Sequence, residues 1–145
     1  MRGKLDEFAC PSAQPDMVGA RVFGVVSGDA DGVRVAYLKA DAKVSLADIS
    51  ALGDVEATRV FRFAGQCEEH RCAQFENGRC GLGDRITAML TPVVECAPSC
   101  QIRDICRWHS EQGIAACLRC PQIVTRVPSD DSALARAADP SVAQR

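Results

Sequence analysis

The chain has 145 residues, a formal net charge of -2 and only 5% aromatic residues. The length suits one domain with a loose end. The charge argues against a nucleic-acid binder, which usually carries a strong positive balance, and the scarcity of aromatics argues against a large conventional core.

Residues 1–17, MRGKLDEFACPSAQPDM, are polar with two prolines and read as an irregular arm. They hold no apolar run of signal-peptide length, and no stretch approaches the roughly 20 apolar residues of a membrane span. A cytoplasmic protein without membrane association is expected, in a compartment where thiols stay reduced.

Residues 18–65 read as a β-β-α-β layer. In ARVFGVVS, Val22, Gly24 and Val26 alternate with Phe23 and Val25, as in a buried strand. The turn cluster GDADG follows, and then VRVAYLKA alternates again, which predicts a hairpin. VSLADISALG predicts a short helix with Ser45 as N-cap, Leu46, Ile49 and Leu52 on one face, and Gly53 at its end. TRVFRFAG predicts a third strand, with Val60 and Arg62 opposite Phe61 and Phe63. No chemistry is assigned to this layer, whose expected role is a scaffold.

Composition changes at Cys67. Eight of the nine cysteines lie between Cys67 and Cys120. GLGDRITAML predicts a helix with Leu82, Ile86, Met89 and Leu90 on one side, limited by Pro92. RDICRWHSEQ predicts another that stops at Gly113, and IAACLRC a third that stops before Pro121. Residues 126–145 are polar and rich in small residues, as expected of a mobile tail. The predicted class is α+β: a small β-β-α-β layer, then a cysteine-rich, mostly helical metal-binding module over residues 66–125.

Nine cysteines in a reducing compartment point to metal more than to disulfides, and the odd count fits a pure disulfide framework poorly. Successive spacings within the two runs are x4 and x7 (Cys67, Cys72, Cys80), then x3, x5, x10 and x2 (Cys96, Cys100, Cys106, Cys117, Cys120). Asn77-Gly78 is a strong tight-turn signal that sends Cys80 back toward Cys72. The final C-x-x-C lets two thiolates of one turn face one centre, and Pro121 fixes its exit.

Structural zinc sites favour two short Cys pairs, and only C-L-R-C and Cys96-x3-Cys100 fall in that range. The irregular spacings suit iron–sulfur ligation by four cysteines better. The expected centres are one formed by Cys100, Cys106, Cys117 and Cys120 and a second by Cys67, Cys72, Cys80 and Cys10. Cys96 is spare or replaces Cys10. A single centre, with the remaining thiols buried, is the other arrangement this count allows.

Arg71, Arg79, Arg103, Arg107 and Arg119 lie near these ligands. Their charge would favour thiolates and raise a cluster's potential, or simply form a solvated surface. His70 and His109 sit inside the cysteine runs as minor candidate ligands, without the paired Cys-His motifs of a Rieske centre. Trp108 is expected to pack over the site and exclude water. C-L-R-C closes a helical segment, unlike a thioredoxin-type dithiol, and no P-loop, G-x-G-x-x-G, G-x-S-x-G or H-E-x-x-H is present.

The elements RDICRW, ACLRCP and QIVT, within residues 61–125, resemble a group of uncharacterised small cysteine-rich bacterial proteins. The resemblance implies that the cysteine region is one module and implies no activity. The function expected from the residues is an iron–sulfur protein with one or two [4Fe–4S] clusters and no independent catalysis. It would serve in electron transfer, redox sensing or as an accessory subunit, with a protein partner. The alternative is a zinc-stabilised interaction module without redox function.

Overall fold

Four antiparallel strands organise the chain: β1 (Ala9–Ala13), β2 (Arg21–Asp29), β3 (Gly32–Tyr37) and β4 (Phe61–Gln66), in the order β1-β4-β2-β3. The computed structural model describes residues 8–29, 32–123 and 133–139. The fold is α+β, as expected. No helix among the described residues is long and apolar enough to cross a membrane.

The alternating pattern of the first half makes the β2–β3 pair, with Gly24 opposite Tyr37 and Asp29 opposite Gly32. Gly24 has a packing reason, since a Cβ there would stand 2.6 Å from Val35 Cγ1. Between β3 and β4, helix α1 (Leu46–Ser50) begins with a reciprocal capping box. The Asp48 N–H donates to Ser45 Oγ at 3.1 Å, and the Ser45 N–H donates to Asp48 Oδ2 at 3.0 Å. The apolar face expected of this helix does not pack as one: Leu46 is 82% exposed. One helical turn held by its caps needs no buried face.

The arm expected to be irregular over residues 1–17 contains β1. Ala9, Pro11 and Ala13 are buried and alternate with half-buried Cys10 and Ser12, so small side chains satisfy a strand pattern without bulky apolar residues. Pro11 is tolerated because β1 is an edge strand, where a missing N–H need not break a ladder. Residues 1–7 lie outside the described residues.

The second half supplies a hairpin, β5 (Phe75–Glu76) and β6 (Arg79–Cys80), then α2 (Gly81–Met89), α3 (Arg107–Gln112) and α4 (Ile114–Arg119). Asn77 and Gly78 both have positive φ, 55° and 76°, which is the geometry of a two-residue primed turn. Gly113 (φ 70°) separates α3 from α4. α4 ends before Pro121, as expected, and Cys120–Gln122 form a separate 3-10 turn carrying that proline near its start, where a missing N–H costs nothing.

Of the expected mobile tail, residues 133–139 are described, and they do not fit that expectation. Ala133–Ala138 form helix α5 with Ala137 buried. Two side chains secure it: Arg85 Nε donates to the Ala137 carbonyl at 2.7 Å, and Gln74 Nε2 to that of Ala138 at 2.8 Å. A small-residue helix can lie close to α2, so composition alone misleads here.

The core crosses the boundary drawn at residue 65. Phe23 and Ala64 of the sheet pack with Ile86, Ile102, Trp108 and Ile123 of the cysteine-rich half. A smaller cluster of Ala13, Val22 and Phe63 is covered by residues that include Leu38, Val44 and Ile49.

Candidate functional site

The sheet, the β5–β6 hairpin and the helices enclose two cavities, and each is lined by four cysteines. β1 contributes to both. Successive residues of a strand point to opposite faces, so Cys10 lines the first cavity and Pro11 the second.

The first cavity, about 300 Å³, is lined by Cys10, Cys67, Cys72 and Cys80, with Trp108 and α5 among its walls. Cys67 follows β4 and is drawn toward Cys10 by a hydrogen bond from its N–H to the Phe8 carbonyl at 2.8 Å. Cys72 ends a 3-10 turn over Glu69–Arg71. The β5–β6 turn returns the chain and leaves Cys80 as N-cap of α2, with its own N–H donating to Glu111 Oε1 at 3.0 Å.

Burial pushes the Cys10 thiol up to about 12, against the backbone hydrogen bond at Ser12; the nearby Cys80, Cys67 and Cys72 sulfurs add to the rise. Burial also raises Cys80, although the Gly83 and Leu82 N–H groups and the Trp108 indole favour its thiolate. Two cations stand at this site: buried Arg85, near Cys80, and Arg107. Arg107 Nε donates to Cys67 Sγ at 3.1 Å, Nη1 pairs with Glu111 at 3.0 Å and Nη2 with Glu69 at 2.6 Å.

The second cavity, about 20 Å³, is lined by Cys100, Cys106, Cys117 and Cys120 with Phe23, Tyr37, Arg103 and His109. Cys106 precedes α3 and touches β1 through a parallel bridge to Ala9. Cys117 lies on α4 and Cys120 on the turn after it. Burial pushes the Cys106 thiol up to about 12, with the neighbouring Cys120 and Cys100 sulfurs contributing. Cys100 is raised for the same first reason.

Each quartet expected from the sequence therefore lines one cavity. Cys96 is exposed and lines neither. His109 borders the second cavity, whereas exposed His70 stacks edge-on against Phe75 at 5.2 Å. Trp108 is 1% exposed and walls the first cavity.

The flanking arginines divide. Arg79 pairs with Asp84 at 2.7 Å, Arg119 caps the Leu90 and Ala115 carbonyls, and Arg71 is exposed. Arg103 bonds the Pro98 carbonyl and lies near Cys117 and Cys100, whose sulfurs favour its charge against the penalty of burial.

Arg62, to which the sequence assigned no role, is fully buried in β4. Its guanidinium stacks over Phe23 at 5.1 Å and Trp108 at 5.5 Å. Its only sequence signal is a charge between two phenylalanines in an otherwise apolar strand.

Among the described residues, no three His, Cys, Asp or Glu side chains are gathered so as to hold one metal ion. Five buried side-chain polar atoms lack a hydrogen-bond partner among the described residues, and four of them belong to residues that face these cysteines: Tyr37 Oη, Arg62 Nη2, Arg103 Nε and Trp108 Nε1. Buried donors are nearly always satisfied, so these four call for acceptors on the cysteine side. No family model, no curated protein and no solved structure matches the chain.

Proposed function

We propose that the chain is an iron–sulfur protein that holds a [4Fe–4S] cluster at each cysteine quartet and works by one-electron transfer, as an electron carrier, a redox sensor or an accessory subunit of a larger enzyme. The carrying observation is the partition of eight of nine cysteines into two fours, each around its own cavity. Four cysteine thiolates are the usual ligand set of such a cluster, and N–H groups aimed at sulfur tune it. The unpartnered donors of Trp108, Arg62 and Arg103 fit that requirement.

The chain's own residues would act as follows. Cys10, Cys67, Cys72 and Cys80 hold the first cluster, and Cys100, Cys106, Cys117 and Cys120 the second. The thiols must lose their protons on loading, and Arg107, Arg62 and Arg103 offset the resulting negative charge. Trp108 excludes water. The first cavity has room in its present form. The second, at about 20 Å³, is large enough for about one water only and does not fit a cluster in its present form. No residue is assigned independent catalysis. The protein would act in the reducing cytoplasm with a protein partner that exchanges the electron.

The test is iron, acid-labile sulfide and zinc content after strictly anaerobic purification, with an absorption spectrum of the same sample. The reading expects about eight iron and eight sulfide per chain and a broad band near ~400 nm. Zinc without sulfide or colour would replace it with the zinc-stabilised interaction module. A colourless, metal-free protein whose fold survives chelation would remove both.

A further inference from the structure

Away from both quartets, the start of β2 and the loop after β3 frame a third hollow, of about 300 Å³. Its polar walls are Arg21, Lys43 and Gln101, and its apolar walls are Val22, Ala40, Ala42 and Val44. No described carboxylate is among them. Asp104 borders the adjoining hollow beside Gln101 and not this one, and exposed Asp41, in the same loop, lines neither. Neither Arg21 nor Lys43 has a carboxylate partner among the described residues.

Arg21 is held in place before any ligand arrives. Its backbone is fixed at the start of β2 by pairing with Ala64 of β4. Its Nη2 donates to Gln101 Oε1 at 2.9 Å. The Gln101 amide is anchored in turn, since its Nε2 donates to the Lys39 carbonyl at 2.6 Å and to the Ala42 carbonyl at 2.8 Å. Arg21 also borders a groove beside Gln66. Gln101 lines the hollow of Lys43 and not that groove, so its bond draws the guanidinium toward Lys43.

A guanidinium carries five N–H donors, and the bond to Gln101 engages one of them. The planar fork matches a carboxylate or a phosphate. Two cations lining one hollow repel each other, and an anion between them relieves that repulsion. Fixing a long side chain beforehand also lowers the entropic cost of binding. The volume lies at the lower end for small-molecule sites. It exceeds what an inorganic ion needs, and four apolar side chains line the remainder.

We propose that this hollow binds a small organic anion. Its carboxylate or phosphate head is held by Arg21 and Lys43, and its short apolar body lies against Val22, Ala40, Ala42 and Val44. Gln101 is a positioning residue that aims Arg21. The site does not depend on what the cysteines hold, so it goes beyond the iron–sulfur reading and is tested separately from it.

The experiment is a nuclear magnetic resonance titration of the full-length protein, as purified, at low ionic strength. Acetate, butyrate and inorganic phosphate are added in separate series, and the amide signals of residues 39–44 are followed. Saturable shifts confined to the surroundings of the hollow are expected, with butyrate tighter than acetate. Phosphate tighter than acetate would assign a phosphate ester, and the reverse a carboxylate. Arg21→Gln and Lys43→Gln should each weaken binding about tenfold, the size of one charged hydrogen bond. Both residues are exposed, so an unchanged melting temperature should accompany the loss. Gln101→Ala should weaken binding less and move the Arg21 side-chain signal. Lys39→Gln makes the same charge change in the same loop outside the hollow and should leave binding as it was.

Shifts that rise linearly and spread over the exposed cations would overturn the proposal. So would butyrate no tighter than acetate, or binding weakened as much by Lys39→Gln as by Lys43→Gln. None of these outcomes involves metal content. A zinc-bound or metal-free protein would therefore remove the iron–sulfur reading and leave this one in place.

Discussion

The two cavities are each lined by four cysteines and differ in almost everything around them. The first is a cavity of about 300 Å³ beside Arg107, which is paired with two carboxylates, and buried Arg85, which lies near Cys80. The second is nearly closed, at about 20 Å³, and faces two guanidiniums that have no carboxylate partner among the described residues. Ligand identity fixes what can bind. Charge and access around the ligands fix how it behaves.

The largest expected effect breaks one site and spares the other. Cys117→Ala or Cys120→Ala should remove about half of the iron, roughly four atoms per chain, together with much of the fold. Cys10→Ala should remove the other half. Cys96→Ala, at an exposed thiol outside both cavities, should leave metal content and melting temperature unchanged. Metal loss in Cys96→Ala with Cys117→Ala unaffected would overturn the assignment.

The next effect concerns access. α5 contributes Ala137 and Ala138 to the wall of the first cavity only. Truncation after residue 125 should therefore speed bleaching of the first cluster in air several-fold, with the second losing colour at its original rate. Equal bleaching of both would show that α5 does not shield the first.

Gly83 tests the Trp108 wall of the first cavity. A Cβ at this position would stand 3.0 Å from Trp108 Cδ1, and the indole is too rigid and too buried to yield freely. Gly83→Ala should cost about 1–3 kcal/mol by overpacking, read as a fall in melting temperature. Gly78→Ala concerns a turn of the first site alone. Its φ of 76° predicts a loss of about 1–2 kcal/mol, and nothing lies within 4 Å of the added methyl to complicate the reading.

The smallest effect is electrostatic. Hydrogen bonding from Arg79, which outweighs burial, together with that from Gln112, holds the Asp84 carboxyl below its usual range. A depressed folded-state pKa contributes stability that is present above the unfolded value, about 3.9, and is lost as pH falls through the folded value. Asp84→Asn should cost less than about 1 kcal/mol at neutral pH, as expected for a half-exposed pair. The difference from wild type should vanish in acid denaturation below that window.

Local patterns were legible wherever they act alone. The β2–β3 alternation, the Ser45 cap, the Asn77-Gly78 turn and the glycine that ends α3 need only neighbouring residues, and each forms where its pattern lies. The two cysteine quartets follow from spacing as well, except that Cys10 reaches its three partners only through pairing of β1 with β4. β1 and α5 escaped notice because alanine, proline and serine advertise no periodicity. Their order comes from close approach to other elements.

The sequence by itself determined the supply of thiols: many in few residues, with turns and helix ends spaced to bring them to two cavities. Only the tertiary structure decided which charges those thiols meet. Arg62, 38 residues before Cys100, becomes its neighbour because β4 lies within the sheet beneath the helices. Arg79 and Arg71, adjacent to cysteines in sequence, turn to Asp84 and to solvent instead. Electrostatic interaction depends on distance and dielectric, and both are properties of the folded packing that no spacing along the chain encodes.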